Sequence, residues 1–293
     1  GLPALLASQI RAKKLVLRVP GDYAWEQGAQ RFGVRETLDE FVRGRGKHPW
    51  QARLLKWVQA YVAEGAAKVI TPSKYLKSIV VDWGVDPRKV AVVYNGFHID
   101  AGRTLRPSLR KKLGFYGSIV VTAGRLVPWK GIKELIEALP QVIEEVPDAE
   151  LVVIGDGPQG EELRARTKEL GLEKSVRFTG RLGQRDLFDY VRAADVFALN
   201  TGYEGQSHQI LETMALGTPV ITTAVGGNPE TIEDGQTGIL LKWNDKAGFA
   251  RAIVEVLRDR SYAQSLARAA KKSVARFSDQ AMLESVVREL TNL

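Results

Sequence analysis

The chain has 293 residues, of which 44% are hydrophobic and 26% are charged. At about 150 residues per domain this length predicts two domains, and the composition argues against a disordered, collagen-like or repetitive chain. Cysteine is absent, which excludes a disulfide framework, a thiolate zinc site and a cysteine nucleophile. We therefore expect a globular protein of the cytoplasm.

The charge is unevenly distributed along the chain. Residues 1–112 contain 21 Lys and Arg against 9 Asp and Glu, whereas residues 113–293 contain 21 against 25. A basic first part can face nucleic acid, an anionic membrane or a phosphorylated substrate, or can simply be solvated. Because the sequence has no zinc-finger spacing, RNP-like aromatic run or continuous basic helix, we expect no nucleic-acid partner.

No segment is predicted to cross a membrane. The longest apolar stretch near the start, Leu2–Ile10, is about half the ~20 residues that a bilayer span needs. Arg11, Lys13 and Lys14 follow it at once. The sequence thus predicts neither a transmembrane helix nor a signal peptide, and leaves open peripheral contact with the inner face of a membrane.

From residue 118 onward, short apolar runs alternate with amphipathic helical patterns. Apolar residues recur at spacings of three and four from Ile132 to Ile143, for example, before Pro147. Near-continuous apolar strands joined by crossover helices form parallel sheets that are covered on both faces. This region therefore predicts a doubly wound α/β domain. Its predicted strands are residues 118–122, 150–154, 176–179, 196–200, 219–223 and 238–241.

The first hundred residues show the same signals with fewer strands. The chain begins on Gly1 inside a helical pattern, as though an earlier part of a domain were absent. A stretch rich in Gly, Pro and Arg from Asn95 to Pro107 predicts a linker. The last predicted helix, residues 279–290, has an apolar face that we expect to be buried. Predicted strands lie at residues 15–19, 68–71 and 90–94, with helical patterns at 51–63 and 73–80.

A glycine-rich turn follows the predicted strand 150–154. Residues 155–160 read G-D-G-P-Q-G, which has the G-x-G-x-x-G spacing of a dinucleotide site. However, Asp156 would place a carboxylate beside a pyrophosphate, and Pro158 removes a backbone donor. The next strand also ends in Gly180-Arg181 instead of an acid for a ribose. We therefore expect a tight turn that borders another ligand.

Two cations follow the predicted strand 118–122. Gly124 and Arg125 come at its end, and Lys130 and Gly131 precede a helix. Glycine allows close backbone approach, and helix N–H groups together with Arg and Lys can neutralise two phosphoryl groups. The alternative is a surface Arg and Lys that flank a turn.

Two carboxylates follow the predicted strand 196–200. Glu204 lies in a turn, Ser207 is a predicted helix N-cap, and Glu212 lies among apolar residues of that helix. A carboxylate in such surroundings needs hydrogen-bond donors, which ribose hydroxyls could supply. The alternative is that Glu204 serves the helix N-terminus and that Glu212 pairs with a cation.

Several of these motifs together resemble family 4 retaining glycosyltransferases of the GT-B fold. They include the E-x7-E pair Glu204 and Glu212, the E-G-x-S start and the L-E-x-M-A-x-G-x-P-V-I continuation. The G-R-L-x-x-x-K-G stretch at residues 124–131 and the V-V-I-G-D-G-P turn add to them. The motifs occur in the family's order from about Lys68 to the C-terminus.

The resemblance implies a role for each site residue. Arg125 and Lys130 would hold the diphosphate of a UDP-, GDP- or ADP-linked sugar, with Gly124 beside them, and Glu204 would bind hydroxyls of the donor sugar. Glu212 would hold the ribose, and Arg181 would border the base. Members are metal-independent, so no cofactor beyond the donor is expected. The distal phosphate or the sugar would be faced by the backbone N–H groups of Gly205, Gln206 and Ser207.

The chain also departs from the family pattern. By its missing strands, the first domain lacks an estimated ~80 to 100 residues. Pro20-Gly21-Asp22 stands where relatives often carry a histidine near the reacting carbon, and Asp22 is a candidate for a comparable contact. We expect a partial acceptor-side Rossmann-like domain at residues 1–103, a nucleotide-sugar domain at 104–277, and at 278–293 a helix that packs back on the first domain.

The sequence leaves two other functions open. One is a non-catalytic scaffold that binds a nucleotide or nucleotide-sugar, which the shortened first domain favours. The other is a GT-B sugar-nucleotide epimerase or phosphorylase. The pair Glu204 and Glu212 favours sugar transfer over these two activities. The acceptor is not specified: it could be a glycan, a lipid or a small molecule. An open edge on the first sheet also predicts either a homodimer or local instability there.

Overall fold

The computed structural model describes residues 1–44, 46, 48–100 and 102–293. The chain divides into two compact units. The first unit contains Gly1–Gly96, Tyr203–Gln206 and Asp279–Leu293, and the second contains Phe97–Gly202 and Ser207–Ser278. Among the described residues, every helix is too short or too polar to span a bilayer.

The first unit contains a small parallel sheet with helices around it. Strand β2 lies in the middle of this sheet and pairs with both β1 and β3, so that Leu17 lies opposite Val69 and Ile70 opposite Ala91. Strand β1 is therefore an edge strand. The elements are α1 (Leu2–Ile10), β1 (Val16–Arg18), α2 (Tyr23–Arg31), α3 (Leu38–Arg43), α4 (Trp50–Glu64), β2 (Lys68–Thr71), α5 (Lys74–Asp82) and β3 (Val90–Val92).

The second unit alternates strands and helices, as the sequence predicts. Its elements are α6 (Arg106–Leu113), β4 (Ile119–Ala123), a 3₁₀ turn (Pro128–Lys130), α7 (Ile132–Glu145), β5 (Glu150–Ile154), α8 (Gly160–Glu169), β6 (Val176–Gly180), α9 (Gln184–Ala193), β7 (Val196–Leu199), α10 (His208–Leu216), β8 (Val220–Thr223), α11 (Asn228–Thr231), β9 (Ile239–Leu241), α12 (Lys246–Arg258), α13 (Arg260–Ser273) and a second 3₁₀ turn (Val274–Phe277).

The six strands of the second unit form one parallel sheet in the order β6-β5-β4-β7-β8-β9. Strands β4, β5, β7 and β8 are buried along almost their whole length, because helices cover both faces of the sheet. Helices α7 and α12 supply much of the core, including Ile136, Leu139 and Phe249. The predicted doubly wound α/β architecture is confirmed.

The last helix, α14 (Asp279–Thr291), belongs to the first unit. One side of it is tied to that unit, since Lys68 pairs with Glu289 at 3.0 Å. No residue of α14 is buried, however, and Leu283, Val287 and Leu290 are exposed. The expectation that the apolar face of α14 is buried is therefore wrong for Leu283, Val287 and Leu290. These three side chains point away from the side of the helix that contacts the first unit.

Candidate functional site

The sheet order of the second unit marks one place where a ligand can enter. If β4 is counted as strand 1, the order is 3-2-1-4-5-6. The chain leaves β4 toward one edge of the sheet and returns at β7 to continue toward the other. Loops that follow such adjacent strands diverge, and ligands bind in the crevice at the strands' carboxyl ends. The motif with Arg125 and Lys130 follows β4, and the motif with Glu204 and Glu212 follows β7.

A cavity of about 550 Å³ lies at these carboxyl ends. Arg125 and Arg181 both line it, and both side chains are exposed. No carboxylate in the described part of the chain pairs with either guanidinium, so both can bind an anion. Its lining comes from the ends of three strands and from α9 and α10, at Ala123, Gly124, Arg125, Ile154, Gly155, Asp156, Gly157, Arg181, Leu182, Leu187 and Gln209.

The Gly-Asp-Gly-Pro turn packs backbone against backbone beside this cavity. Gly155 has φ of +136°, and a Cβ there would lie 1.8 Å from the carbonyl oxygen of Gly124. A Cβ at Gly157 would lie 2.5 Å from the carbonyl oxygen of Leu126, whose N–H donates to the Asp156 carbonyl at 3.0 Å. Both glycines are therefore needed to bring the loops after β4 and β5 together. As predicted, this turn is tight, and it lies at the edge of the cavity.

Replacing Gly155 by alanine is expected to destabilise the protein by about 3 kcal/mol or more, because the new methyl group meets backbone in a strained conformation. Gly183→Ala is the matched control, since a Cβ at Gly183 meets nothing within 4 Å. Urea unfolding would measure both. Equal stability of the two variants would show that the close approach of the loops is not required.

Lys130 lies beside the cavity wall. It ends the 3₁₀ turn after β4, and its Cδ and Cε atoms lie 3.9 Å from the position of a Cβ on Gly124. Gly131, with φ of +51°, separates it from the first turn of α7. Gly124, Arg125 and Lys130 are thus brought to one end of the sheet beside a helix N-terminus, where anions bind favourably.

Helix α10 supplies the second wall. Ser207 caps it by accepting a hydrogen bond from the Ile210 N–H at 3.4 Å, which confirms the predicted cap. Glu212 lies one turn beyond Gln209 and is half-buried. Burial raises the pKa of Glu212, while a hydrogen bond from Gln184 at 3.4 Å lowers it. No cation pairs with Glu212 among the described residues, so the ion-pair alternative finds no partner there.

The other predicted residues belong to the first unit. Glu204 is half-buried there. A Cβ on Gly205 would lie 2.7 Å from the Pro20 carbonyl oxygen. Gln206 is buried, and its side-chain oxygen accepts a hydrogen bond from the Asn95 N–H at 2.6 Å. This segment is thus fixed by backbone packing and by a buried amide.

The structure gives Asp22 a different place from the one expected. Asp22 is fully buried and caps α2, accepting a hydrogen bond from the Trp25 N–H at 2.8 Å. Its other oxygen accepts one from the Trp83 indole at 3.1 Å. Burial raises its pKa, against these hydrogen bonds. Because both oxygens are used and none is exposed, the proposed donor contact is corrected to a helix cap.

A second cavity, of about 560 Å³, lies by the residues that precede β7 and β8. Four arginines line it, and three of them already have partners. Arg106 and Arg110 both pair with Asp195, and Arg192 donates to the carbonyls of Gly102 and Thr104. These guanidinium groups hold the helices in place, so this cavity is a weaker anion site than the first.

Sequence reasoning missed two residues near the site. Gln209 lines the first cavity, but nothing in its sequence context distinguishes it from other helical residues. Asn200 is fully buried at the end of β7 and donates to the Gly131 carbonyl at 3.0 Å. A polar residue at the end of an apolar strand is a signal that could have identified it.

Family comparisons agree with the class of protein that this site defines. Residues 106–273 match the family model "Glycosyl transferases group 1", and residues 36–101 match the model "Glycosyltransferase Family 4". The crevice at the carboxyl ends of a doubly wound sheet and these matches lead to one identification. The chain belongs to the group 1 glycosyltransferase family, and its fold is GT-B.

Curated relatives carry more specific names. The glycogen synthase of Mycobacterium tuberculosis is 31% identical over 222 residues, which cover 75% of this chain and 53% of the relative. A GDP-mannose-dependent monoacylated alpha-(1-6)-phosphatidylinositol monomannoside mannosyltransferase of Corynebacterium glutamicum is 37% identical over 163 residues, which cover 53% of this chain and 42% of the relative. The chain spans about half the length of these relatives.

Among solved structures, Anabaena HepE in complex with UDP-glucose superposes with a TM-score of 0.84 at 25% identity. The match covers 100% of this chain and 76% of that protein. The sucrose-phosphate synthase of Thermosynechococcus elongatus shares the fold, with a TM-score of 0.80.

Proposed function

We propose that the protein is a retaining, metal-independent glycosyltransferase that moves a sugar from a nucleoside-diphosphate sugar to an acceptor. The observation that carries this proposal is the placement of Arg125 and Lys130 with Gly124 at the carboxyl end of β4, beside its neighbour β7. The family to which the chain belongs and the UDP-glucose complex of HepE support it.

The reaction breaks the bond between the sugar's anomeric carbon and the β-phosphate oxygen. Negative charge then builds on the departing diphosphate, while the sugar becomes oxocarbenium-like. In this proposal Arg125 and Lys130 stabilise that charge electrostatically, which replaces a divalent cation. The acceptor oxygen bonds to the anomeric carbon from the same face, so the configuration is retained, and its proton passes to the departing phosphate oxygen.

The remaining residues bind the donor. Glu204 accepts hydrogen bonds from hydroxyls of the donor sugar, and Glu212 accepts them from the ribose, which offsets the cost of its burial. Arg181 borders the base. The N–H groups of Gly205, Gln206 and Ser207 face the distal phosphate or the sugar.

A thermal-shift panel with UDP, GDP, ADP and their sugar conjugates tests donor binding. A ligand at 100 times its dissociation constant adds about 2.7 kcal/mol to the free energy of unfolding. We expect at least one nucleoside diphosphate to raise the melting temperature by several degrees. A flat panel contradicts the proposal. Analysis of the donor after incubation with the protein separates the other two functions. Binding without release of the sugar favours the non-catalytic scaffold, and a changed sugar configuration in the free donor favours an epimerase.

We further propose that the first unit makes peripheral contact with an anionic membrane surface. Helix α4 presents an exposed stripe at spacings of four, three and four, formed by Trp50, Leu54, Trp57 and Tyr61, with Arg53 beside it. Trp50 is 69% exposed and Trp57 is 61% exposed. Amphipathic aromatic rings next to cations favour the interface of an anionic bilayer. One relative's name specifies a phosphatidylinositol-based substrate.

Vesicle sedimentation tests this contact. The protein is expected to sediment with vesicles that contain phosphatidylserine and much less with pure phosphatidylcholine. The Trp50→Ser/Trp57→Ser variant should lose about 10-fold or more in partitioning, since each indole buries a large apolar area. Tyr116→Ser, at a residue 90% exposed in the second unit, is the control. Equal partitioning of all variants would refute the membrane contact. If the parent and Tyr116→Ser are dimers and the double variant is a monomer, the stripe binds a second copy of the chain instead.

A further inference from the structure

Asn200 lies at the point where three loops of the second unit meet. Its side-chain nitrogen donates to the Gly131 carbonyl at 3.0 Å and to the Asn244 side-chain oxygen at 3.0 Å. Its side-chain oxygen accepts a hydrogen bond from the Asn244 N–H at 2.9 Å. The residue is fully buried. Asn200 therefore joins the end of β7 to the loops that follow β4 and β9, and it has no surface for a ligand.

The backbone on both sides of Lys130 is held from β7. The Gly131 carbonyl accepts from Asn200, and the Trp129 carbonyl accepts from the Gly202 N–H at 2.6 Å. Gly131 also has φ of +51°, and a Cβ there would lie 2.2 Å from the Asn200 side-chain nitrogen. The main chain at Lys130 is thus fixed by contacts on its two neighbours, and the direction in which Lys130 leaves the turn is fixed with it.

The third loop is stabilised by the same amide. Asn244 has φ of +60°, a conformation that asparagine tolerates better than most residues. In this conformation its side-chain oxygen and its N–H both contact Asn200. Trp243, next to it, covers Gly202: a Cβ on Gly202 would lie 2.7 Å from the indole ring. The loop after β9 therefore supports the residues that hold the Lys130 turn.

We propose that Asn200 is a positioning residue that orients Lys130 toward the donor's diphosphate. This inference rests on the proposed function, in which Lys130 binds that diphosphate. Asn200→Asp keeps the size of the side chain but removes both donated hydrogen bonds and places a charge against two oxygens. Displacement of a binding group by a fraction of an ångström weakens the contact that it makes.

The test is a double-mutant cycle on UDP affinity, with GDP as a second probe, measured by calorimetry. Asn200→Asp is expected to weaken the binding of UDP about 10-fold in the parent protein. In the Lys130→Ala background the same substitution should cost less than about 2-fold, because the group that it positions is already absent. An equal loss in both backgrounds, or no loss in the parent, would overturn the positioning role.

Asn228→Asp is the matched control. Asn228 is also fully buried in the second unit, and its side-chain nitrogen donates to the Thr223 carbonyl at 3.0 Å. This variant should lose similar stability yet keep UDP affinity within about 2-fold of the parent. If Asn200→Asp fails to fold, Asn244→Gly removes one acceptor and permits the same backbone, and its smaller loss of affinity should also vanish in the Lys130→Ala background. A parent that binds none of UDP, GDP and ADP would contradict the proposed function itself.

Discussion

Sugar transfer by the Arg125→Ala and Lys130→Ala variants is expected to be roughly 30- to 900-fold slower than by the parent. This loss corresponds to about 2–4 kcal/mol of transition-state stabilisation, the usual effect of removing one preorganised electrostatic partner. The reason is that each cation neutralises charge that develops on the leaving diphosphate. Initial rates of nucleoside-diphosphate release would measure the loss.

Two controls make this result specific. Lys133→Ala removes a lysine three residues beyond Lys130 that lies 3.6 Å from Glu162 on the surface, and it should change the rate by less than about 2-fold. A chelator should leave the parent's rate unchanged. Rates that fall in Lys133→Ala as much as in Lys130→Ala would contradict the role of Lys130. Recovery by a divalent cation after stripping would contradict the metal-independent mechanism.

Replacement of Glu204 and replacement of Glu212 are expected to have different effects on activity. Glu204→Ala should lower turnover by about 100-fold with a smaller change in donor affinity, because its hydrogen bonds to the reacting sugar strengthen in the transition state. Glu212→Ala should mainly weaken donor binding, since the ribose does not react. Steady-state rates and calorimetric affinities would separate the two effects. Parent-like binding and turnover in both variants would show that neither carboxylate contacts the donor.

The raised pKa of Glu212 adds a second signature. Burial disfavours the ionised carboxylate, so its folded-state pKa lies above the unfolded value. At pH values above the folded pKa the charged group therefore destabilises the ligand-free protein, and a neutral side chain removes that cost. Glu212→Gln should unfold at a higher temperature than the parent at pH 7 and still bind the donor more weakly. A lower melting temperature would show that the carboxylate is satisfied without a ligand.

The strands of the second unit could be predicted because each is a short, nearly continuous apolar run between helical patterns. Strand β5 begins and ends where the pattern predicts, at residues 150–154, since a buried apolar run of this length fits a strand and is too short for a helix. The same logic predicts that the loops after β4 and β7 lie at one edge of the sheet, because parallel strands place their carboxyl ends there. The charged residues of these two loops could therefore be predicted as site residues from the sequence.

The remaining features depend on contacts that the sequence does not encode locally. Asp22 follows a strand and resembles a site residue, but it precedes a helix that the apolar pattern did not predict, and it caps that helix instead. Asn200 forms its hydrogen bonds with residues 69 and 44 positions away. Hydrophobic period alone could not show that the outer stripe of α14 is exposed, because amphipathic spacing does not specify how much of a helix face is covered.

Hydrolysis of UDP-glucose, GDP-mannose and ADP-glucose, in which water takes the place of the acceptor and the nucleoside diphosphate is released, should be compared between the parent and the Arg125→Ala/Lys130→Ala variant, both in the presence of a chelator. We expect release by the parent with at least one donor. The rate of release should be at least about 100-fold lower in the double variant, because the leaving group has lost both cations. Equal rates in the two proteins, or donor binding with no release by the parent, would contradict the proposed function.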